Sequence, residues 1–549
     1  MSSSAIVRFF KEEGYGVLLS QLGIAILFTG LASIALLGLI NEVAFNGRES
    51  SDDLIYYALA ILVFSLGTRF LNIRVTRLVE NQLLQLRLRI MEGVRGADLA
   101  WLERLGREDI HVVLSQDVAL ISNSADMLVS AVQQCVMLLF CLVYVAWLSP
   151  IAFLVVVGSI LTTYFLISKL QAILQKNYLS LAVTESRLFA VLDHLVNGFK
   201  EIKINGKKSA AISEEYAIHL KESERLKVDN RVRASWAILA SHLFMYSLLG
   251  AVVFALPLGT GNVDGLIGKL VATILFIIAP LLLILEGIPT IERANSSLER
   301  LYELDVKLKN EQLNETFGGL IPEFNKLTLR GVTYGYDDDN GNKGFTVGPL
   351  NSTINSGEIV FITGGNGSGK STLLKLITGL YTHQHGQIAL NHEVIGIDNI
   401  QKLREQFAVV FTDFHLFDQF YGLDSVDAGK VNQLIKDMEL QTKVAYEDGR
   451  FSTVNLSTGQ RKRLAFIMAI LDSRNIYIFD EWAADQDAHF RDRFYKTLLP
   501  SLKTQGKTVI AVTHDDRYWD CCDRLIKLDL GSIAEQKDFK PLAESISVL

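Results

Sequence analysis

No basic excess runs through this 549-residue sequence: 53 Lys and Arg stand against 60 Asp and Glu, a formal net charge of −7. No global basic field therefore argues for a nucleic-acid partner. Cysteine is scarce. The four present, Cys135, Cys141, Cys521 and Cys522, show no metal-ligand spacing, so neither a disulfide framework nor a metal centre follows from them. What is abundant is apolar: 49% of the residues are hydrophobic and mean hydropathy is +0.26, high for a soluble enzyme. This excess is concentrated in the first 291 residues, and the length alone suggests more than one domain.

A helix needs about 20 apolar residues to cross a hydrocarbon core. Six stretches qualify, running approximately Tyr15–Ala44, Leu54–Ile73, Met127–Ser149, Pro150–Leu170, Val232–Leu258 and Lys269–Ile291. The first is too long for a signal-peptide core and is expected to remain. The segment Ile6–Lys11 before it reads either as an amphipathic elbow on the membrane surface or as a frayed terminus. The connection Arg74–Asp126 carries seven Arg or Lys and Gln171–Arg231 carries ten, whereas the opposite-side connections hold only Arg48 and Lys269. The positive connections are expected on the cytoplasmic side, with both termini. Both read as helices that run on beyond the bilayer to meet a second domain. Within the spans, Gln133, Gln134, His242 and Glu286 are the polar residues, expected to face a bundle interior or a water-filled cavity. Pro280, Gly287 and Pro289 suggest a flexible kink in the last span.

A polar helical stretch ending at Gly318-Gly319 closes this half. We expect a six-helix transmembrane domain over 1–300, a linker over 301–326 and an α/β ATP-binding domain over 327–549. The acidic stretch Asp337–Asn342 reads as a surface turn.

The strongest motif is Gly364-Gly365-Asn366-Gly367-Ser368-Gly369-Lys370-Ser371, which fits G-x-x-x-x-G-K-[ST] and continues into Thr372. A buried strand precedes it and a helix follows. Glycines let backbone N–H groups close around phosphate oxygens beside a helix N-terminus, Lys370 is expected to reach the β- and γ-phosphates, and Ser371 to bind Mg²⁺. A second apolar strand ends in Asp480-Glu481 about 110 residues on, where Asp480 is expected to hold the Mg²⁺ shell and Glu481 to polarise the attacking water.

The segment Leu456-Ser457-Thr458-Gly459-Gln460 resembles the signature of ABC-type ATPases, with Thr458 in place of the first glycine. His514 resembles the switch histidine of that family, and Tyr336 the aromatic on which adenine stacks. With six spans ahead of one ATPase domain, the whole chain resembles an ABC exporter half-transporter. The resemblance implies that ATPase domains pair head to tail, so that the phosphate loop of one chain and Ser457, Gly459 and Gln460 of the other close on one ATP. It further implies that Asp487 is the dimer-crossing loop acid. Since the chain keeps both a phosphate loop and Glu481, a homodimer is the simplest closure.

Two departures narrow the resemblance. The position usually held by the loop glutamine is Thr412, with Asp413 beside it, and either is expected to take over the Mg²⁺ contact. The runs around Val409–Asp418, Phe479–Asp487 and Asn197–Asn205, with the Leu-Ser-Thr-Gly-Gln signature, resemble the cyclic-peptide and siderophore-precursor exporters. A peptide-like substrate at a bacterial inner membrane is therefore expected. A lipid or drug flippase of the same architecture and a membrane-tethered regulatory ATPase are the alternatives.

Overall fold

The computed structural model describes residues 5–11, 16–46, 51–255, 257, 265–312, 321–337, 343–423 and 426–539. The Arg48 loop, the Gly318-Gly319 end of the linker and most of the acidic turn lie outside them. The chain divides into two compact units, 1–88 with 110–303 and 89–109 with 304–549.

The first unit is helical. Its apolar residues form helices because leucine, isoleucine and alanine runs satisfy every backbone group internally, as a bilayer demands. Long helices run Gly16–Asn46, Ser51–Gly96, Val118–Leu148, Pro150–Asn197, Gly206–Gly250 and Leu266–Asn310. Among the described residues, four stretches are long and apolar enough to cross a membrane: Ser20–Phe45, within Asp52–Gly96, within Ile110–Leu148, and Leu266–Ile284. The fourth and fifth expected spans appear there as shorter apolar stretches, Pro150–Thr162 and His242–Ala255. Many large apolar side chains on these helices face outward, among them Leu54, Leu154, Leu139 and Phe254, as lipid contact requires. The last helix continues through Pro280 and Pro289. A membrane helix tolerates proline where neighbouring groups satisfy the freed carbonyls.

Ala5–Lys11 is a helix whose Phe9 is buried and whose Arg8 lies 4.3 Å over the Tyr302 ring. Of the polar residues singled out in the spans, Gln133 donates to Thr68 at 2.9 Å, whereas the Gln134 Oε1 is buried without a hydrogen-bond partner. His242 is half-buried. The Glu286 side chain lies outside the described residues. Buried Asp117 accepts from Ser297 at 2.9 Å and from the Arg300 Nε at 2.9 Å.

The second unit is an α/β domain with two larger sheets. Strands β1 (Lys326–Asp337), β2 (Lys343–Asn355), β4 (His385–Leu390) and β5 (Glu393–Val394) make an antiparallel sheet in the order β2-β1-β4-β5. The six-stranded sheet contains β3 (Ile359–Gly364), β6 (Phe407–Val410), β9 (Ile476–Asp480), β10 (Thr508–Val512), β11 (Arg524–Asp529) and β12 (Ser532–Asp538). Its order is β12-β11-β3-β10-β9-β6, parallel except at β12. The minor hairpin β7 (Tyr446–Glu447) and β8 (Arg450–Phe451) lies apart. Strands β9 and β10 are buried along their whole length. They read as continuous apolar runs because a parallel sheet is covered on both faces. Functional loops therefore gather at the carboxyl ends of β3, β9 and β10.

One segment of the membrane half belongs with this unit. Asp98 caps the short helix Leu99–Leu105, accepting from the Ala100 and Trp101 N–H groups at 2.7 and 3.2 Å. Glu103 of that helix accepts from Lys375 Nζ at 2.8 Å and from the Tyr381 hydroxyl at 2.5 Å. Lys375 lies on the helix that follows the glycine loop.

Candidate functional site

The glycine loop leaves β3 and enters the helix Lys370–Ile377. Three of its glycines have positive φ: 153° at Gly364, 76° at Gly367 and 97° at Gly369. At Gly364 a Cβ would stand 2.4 Å from the Leu528 carbonyl oxygen, so both the conformation and the space demand glycine. Gly365 and Gly367 have open space where a Cβ would be. Lys370 folds back on the loop, donating to the Gly364 and Gly365 carbonyls at 3.0 and 2.9 Å. The Ser368 hydroxyl is buried with no hydrogen-bond partner. An open, glycine-rich concavity beside an unpaired buried hydroxyl, a lysine and a helix N-terminus fits a phosphate chain. Asn366 and Ser371 lie exposed on its rim.

Tyr336, on β1, is partly exposed and bonds through its hydroxyl to the Thr372 Oγ1 at 2.8 Å. Its ring meets Tyr334 edge-on at 5.2 Å, and Tyr334 stacks on Tyr381 at 4.8 Å. Adenine is expected on this aromatic group beside the phosphate loop.

Strand register sets the next candidate pair. Val512 of β10 lies opposite Asp480 of β9, so the residues just beyond both strands are neighbours. Glu481 and His514 meet there, Nε2 to Oε1 at 3.0 Å. Glu481 sits in the left-handed region, φ 49° and ψ 34°, an unfavourable conformation for a side chain with a Cβ. Asp480 is 3% exposed. Burial pushes its carboxyl up, opposed by hydrogen bonding to Thr412 and by the charge of Lys370. Among the described residues no cation pairs with this buried carboxylate within salt-bridge distance. Such an acid, close to Lys370 of the glycine loop, suits a hard divalent cation such as Mg²⁺. Thr412 also donates its hydroxyl to the Asp480 carbonyl at 3.3 Å, and Asp413 beside it is exposed.

The signature residues begin the helix Thr458–Leu471, where Ser457 is the N-cap and Gln460 Oε1 accepts from the Ser457 N–H at 3.3 Å. Gly459 packs against the turn after β9: a Cβ there would stand 2.7 Å from the Asp485 carbonyl oxygen. Its own carbonyl accepts from Gln486 at 3.0 Å. Asp487 is exposed, and the Phe490 N–H and the Arg463 guanidinium hold it below the usual carboxylate range. Among the described residues no hydrogen bond joins Ser457, Gly459 or Gln460 to the glycine loop of the same chain.

The site thus forms two groups. One gathers Tyr336, the glycine loop, Asp480, Thr412, Glu481 and His514; the other gathers Ser457, Gly459, Gln460 and Asp487. Sequence reasoning missed the side chains packed between and behind them: Lys462, Arg463, Trp482 and Gln486. One signal was available. Lys462 falls on the helix stripe shared with Ala465, Phe466 and Ala469, all buried, so a lysine occupied a core position.

Comparison with known proteins agrees with this geometry. Residues 347–484 match the family described as ABC transporter, and residues 18–282 match the ABC transporter transmembrane region. The chain is 30% identical over 531 residues to the ATP-binding protein SyrD of Pseudomonas syringae pv. syringae, covering 92% of each chain. It is 24% identical over 485 residues to an ATP-dependent lipid A-core flippase of Paraburkholderia xenovorans, covering 84% of this chain and 79% of that one. A solved structure of a bacterial Atm1-family ABC exporter with ATP bound shares the fold, with a TM-score of 0.75 over 95% of this chain and 96% of that chain, at 18% identity.

Proposed function

Because this chain belongs to the ABC transporter family and couples ATP hydrolysis to transport, we propose that it exports a peptide-like solute across a bacterial inner membrane as a homodimer. One membrane region and one ATPase domain make a half-transporter, which implies a dimer. The observation that carries the hydrolytic reading is the convergence of the glycine loop, Asp480, Glu481 and His514 at the carboxyl ends of neighbouring parallel strands.

In this reading Tyr336 stacks the adenine and the loop amides with Lys370 grip the phosphates. Ser371, Asp480 and Thr412 or Asp413 hold Mg²⁺, which when bound neutralises charge on the transferring phosphoryl group. Glu481 orients and polarises the attacking water, with His514 fixing its carboxylate from the neighbouring strand end. Ser457, Gly459 and Gln460 of the second copy close over the same nucleotide. ATP therefore favours the paired state because it contacts both copies, and hydrolysis removes that preference. The helix Leu99–Leu105 carries the change from the ATPase unit toward the spans through Glu103, Lys375 and Tyr381.

The peptide class rests on the runs around Val409–Asp418, Phe479–Asp487 and Asn197–Asn205. The excess of Lys and Arg in the two long connections supports cytoplasmic termini. A lipid flippase is the second reading, favoured by the similarity to the lipid A-core flippase. Inside-out vesicles containing the purified protein test the two. ATP-dependent accumulation of a labelled cyclic peptide is expected. ATP-dependent movement of labelled lipid without peptide uptake would replace the first reading with the second.

A further inference from the structure

The two groups of site residues are joined by one buried amine. Lys462 lies one turn into the signature helix, with its side chain 3% exposed. Its Nζ donates to the Glu481 carbonyl at 2.7 Å and pairs with Asp485 Oδ2 at 2.6 Å. Its own carbonyl accepts from the Trp482 Nε1 at 2.7 Å. Burying an ammonium group is expensive unless it is paired and fully bonded, so this placement calls for a reason.

We propose that Lys462 is a positioning residue that holds Glu481 in its working conformation and ties that conformation to the signature loop; this rests on the homodimeric ATPase reading above. Glu481 occupies the left-handed region, which a residue with a Cβ leaves readily unless its surroundings forbid it. The Ala484 N–H also donates to the Glu481 carbonyl, at a longer 3.3 Å. The amine thus fixes the peptide plane after Glu481. That plane, together with ψ 34°, sets the direction of the Glu481 Cα–Cβ bond, from which its carboxylate approaches His514 at 3.0 Å.

The other end of the tie is equally firm. Gln486 donates to the Gly459 carbonyl at 3.0 Å and accepts from Arg463 Nε at 2.8 Å, while Arg463 Nη2 reaches Asp487 at 2.8 Å. Hydrogen bonds therefore tie residues 481–487 to the first turns of the signature helix at both ends. In the dimer, the signature loop of a chain closes on its partner's nucleotide, while Glu481 of that chain serves its own. Lys462 accordingly links the closure of one site to the readiness of the other.

The test uses full-length protein in detergent and compares wild type with Glu481→Gln, Lys462→Met and Lys462→Gln, reading kcat and KM for ATP. Methionine keeps the buried stem and removes the donor; glutamine keeps a donor one bond shorter. The expected order of kcat is wild type, then Lys462→Gln, then Lys462→Met, with the last lowered about tenfold or more and KM unchanged within about twofold. A merely structural lysine would show no graded recovery at constant KM. If Lys462→Met does not fold, Lys462→Gln decides alone: a lowered kcat at constant KM supports the tie. Unchanged kcat, or an effect confined to KM, overturns it. Normal turnover by Glu481→Gln would overturn the assignment of Glu481 and this inference with it, whereas an inactive Glu481→Gln beside a fully active Lys462→Met would overturn the Lys462 role alone.

Discussion

Replacing Trp482 with alanine should unfold the ATPase unit at a much lower temperature. Trp482 follows the Asp480-Glu481 pair and is 1% exposed. Its ring stacks on Phe494 at 4.5 Å and lies 5.5 Å from Phe466, which itself stacks on Phe479 at 5.2 Å. Removing a buried indole costs about 3–5 kcal/mol in lost transfer energy and cavity. Losing the bond from its N–H to the Lys462 carbonyl adds about 1 kcal/mol. For a domain of this size each kcal/mol moves the melting point about 2–4 °C. The expected drop is therefore roughly 8–24 °C. Trp482→Phe keeps a stacking ring and loses the donor, so a drop of roughly 2–8 °C is expected. Calorimetry on detergent-solubilised protein at one fixed scan rate reads both, since unfolding of large proteins is often irreversible. A Trp482→Ala protein melting within about 3 °C of wild type would refute the claim that this aromatic cluster supports the site.

Other outcomes follow from the same geometry. Lys370→Ala should weaken ATP binding itself, read by nucleotide titration; unchanged affinity would count against the phosphate-loop assignment. Gly459→Ala forces a methyl toward the Asp485 carbonyl and should cost about 1–3 kcal/mol of overpacking. Its turnover should fall while ATP still binds the glycine loop, because the strain lies in the signature turn; normal turnover would show that this turn gives way freely.

Much of the candidate site was legible in the sequence because the chemistry proposed for it demands particular residues. A phosphate chain needs backbone amides uncovered by Cβ atoms, and Gly364 and Gly369 are forced by φ as well as by space. Asp480 and Glu481 announced themselves as acids ending an apolar run. The spans were legible because a bilayer requires length and apolarity, and four such stretches stand among the described residues. Pro280 and Pro289 suggested a kink, and the helix that carries them runs without a break from Leu266 to Asn310. Proline marks a missing donor, and whether a helix breaks there depends on neighbours that the local sequence does not encode. The joining side chains were hidden for a related reason. Lys462 and Gln486 are ordinary helix and turn residues until parallel pairing of β9 with β10 and packing of the signature helix bring Glu481, Gly459 and Asp485 to them. Glu103 was likewise unremarked in a charged connection, and its partners lie about 270 residues away along the chain.

The central claim is that Glu481 activates water on a nucleotide sealed between two copies of the chain. Its most direct test is the Glu481→Gln protein incubated with ATP and Mg²⁺, followed by phosphate release and by cross-linking of cysteines placed on the two ATPase units. The account predicts almost no phosphate release, retained ATP binding and a stably closed pair. Phosphate release at the wild-type rate, or loss of ATP binding, would contradict it.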